Sequence, residues 1–374
     1  MQNDEKFPGL YFREWPCQNV DIDEPVEIWA DRTAALQQIT DLLDYLNSVD
    51  KTSLHLMWAD LGCGKTHTMG FIRHLCLTKY KNIYPLYTLV PNRVASFLDQ
   101  YKNIISAFNF DHIAEMARRI TARNGENYLV SRVLGGSEEF HKVIQAISIG
   151  SSDSKSIGRR WLSGSTNLSK SDLSLIGASR TIRNSDDALA ILQGLSRIVI
   201  HSQPDTRLLI MVDEFQRLHE SSDKISKNVA TGLHSLYNAV PRRLSILLSF
   251  ACRKKENVDV ILSPELKSRT DPKRSIQLPE MSRQEVPVFV NALFDAYRTR
   301  KEPPIRSYPL HPECFEVVID NIVSRKRLIC PREIINLGLD PLLNESRTRH
   351  EKGVDPMISA QDARDILSTI ETFD

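Results

Sequence analysis

Short apolar runs alternate with amphipathic segments along most of the chain. Four runs, at residues 53–58, 83–90, 208–212 and 244–250, have the length of strands and contain few polar positions. Between them, apolar residues recur at helical spacing, as at Leu36, Ile39, Leu43 and Leu46. Strands that lack a polar face are typical of a parallel sheet covered by helices on both sides. The pattern therefore predicts an α/β protein with a three-layer αβα core.

The same pattern predicts how the chain is divided. Residues 1–50 form an extended arm and a first helix, residues 51–280 the core, and residues 281–374 a helical domain in which strand patterns are absent. Residues from about 110 to 180 interrupt the alternation, and we expect a helical insertion there. Its serine- and glycine-rich segment at 150–158 has the composition of a flexible linker, which predicts mobile joints in the insertion.

Composition and charge exclude several classes of protein. The chain has 374 residues and a formal net charge of +1, so any contact with nucleic acid must come from local basic patches. Its six cysteines include no C-x-x-C pair, which favours a reducing compartment over a disulfide framework. Neither a signal peptide nor an apolar run of the ~20 residues needed to span a membrane is present. We therefore expect a cytoplasmic protein that does not bind membranes.

The segment that follows the first predicted strand has the composition of a phosphate-binding loop. Gly62 and Gly64 allow the backbone N–H groups to approach phosphate oxygens closely, and the following helix adds the positive end of its dipole. Lys65 would contact the β- and γ-phosphates, and the Thr66 hydroxyl would bind Mg²⁺. The motif G-x-x-x-x-G-K-[ST] is matched except at its first glycine, where this chain has Ala59. The candidate ATP-binding residues here are Ala59, Asp60, Leu61, Gly62, Cys63, Gly64, Lys65, Thr66 and His67.

Two adjacent carboxylates end the third predicted strand. A parallel sheet carries nucleotide at the carboxyl ends of its strands, so the run Leu208–Val212 would deliver Asp213 and Glu214 to that edge. Asp213 would then hold a Mg²⁺-bound water, and Glu214 would activate the water that attacks ATP.

At this point the sequence resembles the AAA+ P-loop ATPases, in particular the group related to origin-recognition proteins and the AAA-type ATPases of bacterial defence and transposition modules. The resemblance rests on ordered landmarks across most of residues 30–345. It implies a P-loop NTPase core with a C-terminal helical lid over the nucleotide.

The resemblance assigns further site residues. Ser249 falls at the position of the polar sensor residue that follows the acidic pair, where asparagine is more usual. Arg269, in the segment Lys267–Thr270, corresponds to an arginine finger that contacts the nucleotide of a neighbouring subunit. Arg332, at the start of a Pro-Arg-Glu helix, corresponds to the sensor arginine of the lid, and Arg32 belongs to an element beside the adenine.

Two departures from the family pattern affect these expectations. Lys65 and Asp213 are separated by 148 residues, more than the usual intervening core, which is why an insertion is inferred. We also expect no winged-helix domain after the lid, so DNA binding through such a domain is not supported. Basic clusters at residues 159–160, 242–243, 253–255, 273–274 and 325–327 remain candidates for DNA contact, against the alternative of solvated surface.

The leading hypothesis is a homo-oligomeric ATPase whose Mg²⁺-ATP cycle recruits or remodels a protein partner. A nuclease, a transposase or another effector of a defence or mobile-element module fits that role, with DNA as a further candidate partner. Two alternatives stay open. One is a nucleotide-dependent scaffold or sensor with poor hydrolysis, and the other is a non-oligomeric P-loop ATPase that binds only protein.

Overall fold

The structure is a computed structural model that describes residues 6–7, 9–18, 26–30, 32–220, 222–254, 256–258, 262–271, 274–299 and 301–370. Asp31, next to the candidate residue Arg32, lies outside these residues, as do Lys255 and Lys273 of the basic clusters named above.

A five-stranded sheet forms the centre of the core. Its strands are β1 (Ser53–Ala59), β2 (Ile83–Leu89), β3 (Arg207–Asp213), β4 (Leu244–Ala251) and β5 (Ile276–Leu278). They lie in the order β2-β3-β4-β1-β5, and the predicted parallel sheet is confirmed. Because the strands are parallel, β1 and β3 end at the same edge of the sheet, with β4 between them.

The central strands are buried on both faces, as their continuous apolar runs predict. All seven residues of β3 are buried, and Leu208 pairs with Leu244 of β4. On its other side β3 pairs with β2 over seven positions, which carries Leu89 of β2 opposite Asp213. This register places the acidic end of β3 beside the carboxyl end of β2.

Helices flank the sheet and form the rest of the molecule, in agreement with the predicted αβα layers and helical C-terminal region. The helices are α1 (Thr33–Ser48), α2 (Lys65–Thr78), α3 (Phe97–Ser106), α4 (Phe110–Asn124), α5 (Glu138–Ile149), α6 (Ser152–Leu162), α7 (Lys170–Leu175), α8 (Ser185–Ser202), α9 (Asp223–Ala239), α10 (Pro264–Lys267), α11 (Glu285–Tyr297), α12 (Cys314–Ser324), α13 (Pro331–Ile334), α14 (Asp340–Glu351) and α15 (Ala360–Ser368). A π-helical turn, Ile335–Leu339, joins α13 to α14 without a break.

The segment from α4 to α7 is helical, but the prediction of a flexible linker at 150–158 was wrong. These residues contribute most of α6, whose first turn is capped when the Ser151 side chain accepts from the backbone N–H of Ser154. Trp161 and Ile157 are buried on its inner face. A Cβ atom at Gly158 would lie only 2.8 Å from Ile147 Cγ1, so this glycine serves close packing of α6 on α5. A prediction made from serine and glycine content alone therefore missed a helix that is capped and packed against its neighbour.

The chain divides into two compact units, each with its own hydrophobic core. One unit comprises residues 1–37, 59–71 and 277–374. Its core includes Phe12 of the N-terminal segment, which packs edge-to-face on Phe294 with ring centroids 5.2 Å apart. The other unit comprises residues 38–58 and 72–276, and its core covers the sheet. Within the described residues, none of the helices combines the length and the apolar character that crossing a membrane requires.

Candidate functional site

The glycine loop links the end of β1 to the start of α2. Gly62 and Gly64 have φ angles of 78° and 86°, in the left-handed region that residues with a Cβ rarely adopt. The loop is therefore shaped by its glycines before the helix begins at Lys65. The first backbone N–H groups of a helix have no acceptor inside the helix, and together with the helix dipole this makes a helix start a favourable place for an anion.

Lys65 is the lysine at the end of the glycine loop, and its ammonium carries the positive charge there. It is only 5% exposed, and its ammonium donates to the carbonyl oxygens of Asp60 at 3.2 Å and Ala59 at 3.4 Å. Asp60 further shapes the loop by accepting the backbone N–H of Leu61 on its carboxylate at 2.8 Å. The carbonyls of a flexible loop are acceptors that phosphate oxygens can replace, so the buried ammonium is suited to an anionic ligand.

Arg32 is a second buried cation beside the loop. Its guanidinium donates from Nη1 to the Cys63 carbonyl oxygen at 2.7 Å, and the side chain is 8% exposed. Within the described part of the chain, Nη2 has no hydrogen-bond partner. Burial lowers the pKa of Arg32, and the nearby Cys63, Glu285 and Cys330 partly offset this decrease. A buried donor without an acceptor costs free energy, and an anionic ligand of the loop would supply that acceptor.

Aromatic side chains lie on the other side of α2's first turns. The Trp29 ring is 4.9 Å from Phe71 and 6.3 Å from His67, measured between ring centroids. Burial and the charge of Arg32 lower the pKa of His67 to about 4, so its imidazole is neutral at physiological pH. The sequence assigned Arg32 to the adenine side, whereas in the structure its guanidinium is hydrogen-bonded to the phosphate loop.

Arg332, the candidate sensor arginine, lies directly against the loop within the same unit. Its backbone N–H donates to the Gly62 carbonyl oxygen at 3.3 Å, and its side chain is exposed. A Cβ atom at Gly62 would lie 2.8 Å from the Cβ of Arg332 and 3.0 Å from the sulfur of Cys330. Gly62 is thus required both for its φ angle and for the close approach of α13.

The acidic pair is held by hydrogen bonds at the end of β3. Asp213 is fully buried, and its carboxylate accepts from the Tyr87 hydroxyl at 3.2 Å and from the Glu214 backbone N–H at 2.8 Å. Glu214 has a φ of 58°, unusual for a residue with a side chain. Strained backbone of this kind persists where the surrounding structure holds it, and it is frequent at functional sites.

Gln216 connects Glu214 to the end of β4, a role that sequence reasoning missed. Its amide nitrogen donates to Glu214 Oε2 at 2.6 Å, and its amide oxygen accepts the Ala251 backbone N–H at 2.8 Å. Arg217 Nε lies 3.7 Å from the same carboxylate oxygen, and its Nη1 donates to the Val90 carbonyl. The signal in the sequence for this role is the position of Gln216 two residues after Glu214.

Ser249 and Arg269 belong to the same unit as the acidic pair. Ser249 is fully buried in β4, and among the described residues its hydroxyl has no hydrogen-bond partner. Arg269 follows α10, is exposed, and places its guanidinium 5.5 Å from the ring centroid of Tyr237.

Several candidate basic clusters have structural partners. Arg160 donates to the Asn167 carbonyl, Arg243 to the Pro204 carbonyl, and Arg325 to the carbonyls of Leu367 and Ile370. Arg159 pairs with Asp111. These interactions satisfy part of each cluster's donors and leave less of its charge for a nucleic-acid backbone.

Comparison with known proteins gives structural matches only. Neither a protein-family model nor a curated protein matches the chain. The ORC2 protein of Aeropyrum pernix, solved as ADPNP-ADP complexes, is similar with a TM-score of 0.55 and 15% identity over 94% of this chain and 72% of that one. Its ADP form gives a TM-score of 0.53 and 14% identity over 95% and 72% of the two chains. Domain III of the Thermotoga maritima replication initiation protein DnaA gives a TM-score of 0.46 and 9% identity over 94% and 98%.

The ORC2 matches extend over nearly the whole chain. Their sequence identities are too low to infer a function, so the likeness shows the fold alone: an αβα P-loop NTPase core with a helical C-terminal region, as in the ORC2 protein.

Proposed function

We propose that the chain binds Mg²⁺-ATP at residues 59–67 and hydrolyses it with Asp213 and Glu214. The observation that carries the proposal is the glycine loop, in which two left-handed glycines precede a helix and the buried cations Lys65 and Arg32 lie beside them. Buried positive charge at the start of a helix is suited to binding a polyanion. The solved complexes of ORC2 with ADPNP and ADP support a nucleotide as that polyanion.

Oxygen ligands for Mg²⁺ are available at two of the predicted positions. The Thr66 hydroxyl follows Lys65 in the first turn of α2, and the Asp213 carboxylate ends β3 with no exposure to solvent. Mg²⁺ prefers such hard oxygen ligands, and when bound it neutralises charge that develops on the phosphates. The Thr66 hydroxyl would bind the ion directly, together with phosphate oxygens, and the Asp213 carboxylate would hold one of its water ligands.

Glu214 is the proposed general base. Its carboxylate accepts from Gln216 at 2.6 Å, which fixes its orientation, and this bond also ties the base to the end of β4. Ser249, with its free hydroxyl in β4, would sense the γ-phosphate. Arg332 would contact the nucleotide from α13, since its backbone already contacts Gly62.

Lys65 gives the most direct test of nucleotide binding. Removing its ammonium in Lys65→Ala deletes charge-assisted hydrogen bonds to phosphate, and we expect Mg²⁺-ATP affinity to fall by roughly 100-fold or more. Calorimetric titration measures this, and phosphate release measures turnover. Lys79→Ala is the matched control, because Lys79 is exposed just beyond the same helix. Unchanged affinity in Lys65→Ala would refute the assignment of the loop.

The assembly part of the proposal concerns Arg269, whose exposed guanidinium is free to approach a neighbouring subunit as an arginine finger. We expect Arg269→Ala alone and Lys65→Ala alone to be inactive, whereas an equimolar mixture regains part of the wild-type rate. Activity returns because, in a mixed assembly, the intact glycine loop of an Arg269→Ala subunit can face the intact arginine finger of a Lys65→Ala subunit. A mixture no more active than either variant would argue for a monomeric site.

The wider role follows from the resemblance to initiator-type and defence-module ATPases. We infer that the nucleotide cycle of a cytoplasmic homo-oligomer recruits or remodels a protein effector such as a nuclease or a transposase, with DNA as a further ligand. Light scattering and negative-stain imaging with an ATP analogue, with and without duplex DNA, test the assembly and its DNA dependence.

One observation favours the alternative of a nucleotide-dependent scaffold or sensor with poor hydrolysis. The Glu214 carboxylate is held by the Gln216 amide and lies 3.7 Å from Arg217 Nε, so any reorientation of the carboxylate toward the attacking water has to overcome both contacts. A single-turnover rate much slower than nucleotide release would support this alternative.

A further inference from the structure

Two cysteines from distant parts of the sequence meet at the glycine loop. Cys63 lies inside the loop and Cys330 directly precedes Pro331, yet the Cys330 sulfur lies 3.0 Å from the position that a Cβ atom would take on Gly62, the residue next to Cys63. Both side chains are 1% exposed, and both are free thiols. The Cys330 sulfur also lies 3.9 Å from the Leu61 carbonyl oxygen. This is a thiol pair joining the loop to the start of α13.

The two thiols differ in acidity. The neighbouring Cys63, together with the backbone N–H groups of Glu333 and Arg332, lowers the pKa of Cys330 despite its burial. The neighbouring Cys330 and burial raise the pKa of Cys63. Cys330 is therefore assigned as the sulfur that attacks and Cys63 as the sulfur that resolves.

Two other buried cysteines, Cys76 and Cys314, have a different environment. Burial raises the pKa of Cys76 to about 12, and mainly burial raises that of Cys314 to about 11. Cys76 lies in α2, the helix that begins at the end of the glycine loop, and it is as buried as Cys63 and Cys330. It is therefore a matched control for the reactivity of the pair.

We propose that Cys63 and Cys330 form a reversible disulfide that fixes the glycine loop to α13 and slows nucleotide exchange. The Arg332 N–H already donates to the Gly62 carbonyl, so a covalent bond next to this contact would prevent α13 from moving off the loop. The inference about nucleotide exchange rests on the proposed function, whereas formation of the bond does not.

The oxidant is a low-molecular-weight disulfide such as oxidised glutathione. The Cys330 thiolate attacks one of its sulfur atoms, forms a mixed disulfide and expels one thiolate. Cys63 then loses its proton and attacks the Cys330 sulfur, which expels the second thiolate. Two protein thiols are oxidised and one reagent disulfide is reduced to two thiols. Because both sulfurs are buried, the reagent reaches them only when α13 moves away from the loop.

The experiment treats the full-length protein with oxidised glutathione and maps disulfides by non-reducing proteolysis and mass spectrometry. We expect a peptide linked through Cys63 and Cys330 as the main intramolecular product in wild type and in Cys76→Ser. It should be absent in Cys330→Ser, a variant that retains the helix because serine is favoured at a helix N-cap. Dithiothreitol should remove the link.

Two further readouts test the consequence of the bond. Amide hydrogen exchange of residues 59–66 should slow after oxidation, a measurement that needs no nucleotide. Release of a fluorescent ADP analogue should slow at least ten-fold in oxidised wild type and stay unaffected by oxidant in Cys330→Ser.

The outcomes separate the two claims. No linked peptide, or a linked peptide with unchanged exchange in the loop, would overturn this inference. If the reduced protein fails to bind nucleotide while the linked peptide and the slower loop exchange are present, the proposed function fails and the disulfide stands.

Discussion

The glycine loop and the acidic end of β3 are built in different ways. The loop is one short stretch of chain whose shape depends on backbone conformation at Gly62 and Gly64. The acidic end depends on side chains from separate segments, since Tyr87 donates to Asp213 and Gln216 donates to Glu214, while the Ala251 backbone N–H holds the Gln216 amide. Backbone chemistry can be read from consecutive residues, whereas a side-chain network requires the fold to bring its members together.

The difference also separates what each region contributes. In the proposed function, the loop supplies N–H groups and buried cations, which would stabilise the bound polyanion before and during reaction. The acidic end would supply an oriented base, which matters only in the chemical step. Variants of the loop should therefore weaken binding, and variants of the acidic end should lower turnover while leaving binding nearly unchanged.

The largest expected effect belongs to Glu214→Gln. Loss of the general base should lower the rate of ATP hydrolysis by roughly 10²–10⁴-fold, because a positioned base contributes about that factor. Nucleotide affinity should change by less than about 3-fold, since the amide keeps the shape of the side chain. Phosphate release and titration calorimetry measure the two quantities, and Glu302→Gln, at an exposed position, is the control. Equal losses in affinity and rate would contradict the division of roles.

Gly62→Ala tests the loop side of the comparison. The new methyl group meets a φ of 78° and a contact of 2.8 Å to the Arg332 Cβ, so the loop or α13 must shift. We expect affinity for Mg²⁺-ATP to fall by roughly ten-fold or more, consistent with a strain of about 1–3 kcal/mol.

Gly353→Ala is the control for backbone strain. Gly353 has a φ of 74°, yet a Cβ there would have nothing within 4 Å. The two variants should therefore lose similar stability from backbone strain, while Gly62→Ala alone loses affinity. If both variants bind nucleotide as wild type does, the contact between the loop and α13 has no part in binding.

A smaller effect is expected for Gln216→Ala, which sharpens the comparison within the acidic end. Without the amide, Glu214 loses its 2.6 Å hydrogen bond and its link to Ala251. Turnover should fall by roughly ten-fold with little change in KM, because hydrogen bonds to charged groups are worth about 1.5–3 kcal/mol. A faster rate would instead mark Gln216 as a restraint on the base.

The sequence predicted the features that repeat locally. Buried strands β1 to β4, the parallel sheet and the helical C-terminal region follow from continuous apolar runs and helical spacing, and the structure confirms them. It misjudged residues 150–158, where the buried face of α6 outweighs the polar composition.

Contacts between distant segments could not be predicted. Arg32 meets the Cys63 carbonyl across 31 positions, and Cys63 meets Cys330 from the other end of the chain. No spacing rule encodes such pairs, because they depend on how the N-terminal segment, the loop and α13 fold into one unit. The link through Gln216 is similar, since its amide oxygen finds its donor at Ala251, 35 positions later.

A structure of the protein with a slowly hydrolysed ATP analogue and Mn²⁺ in place of Mg²⁺ tests the central claim most directly. The anomalous signal of Mn²⁺ locates the ion independently of the interpretation of the nucleotide. We predict that the ion is coordinated by the Thr66 hydroxyl and a phosphate oxygen, that the Asp213 carboxylate accepts from one of its water ligands, and that Lys65 contacts the γ-phosphate. An ion or triphosphate bound away from Thr66 and Asp213 would contradict the account.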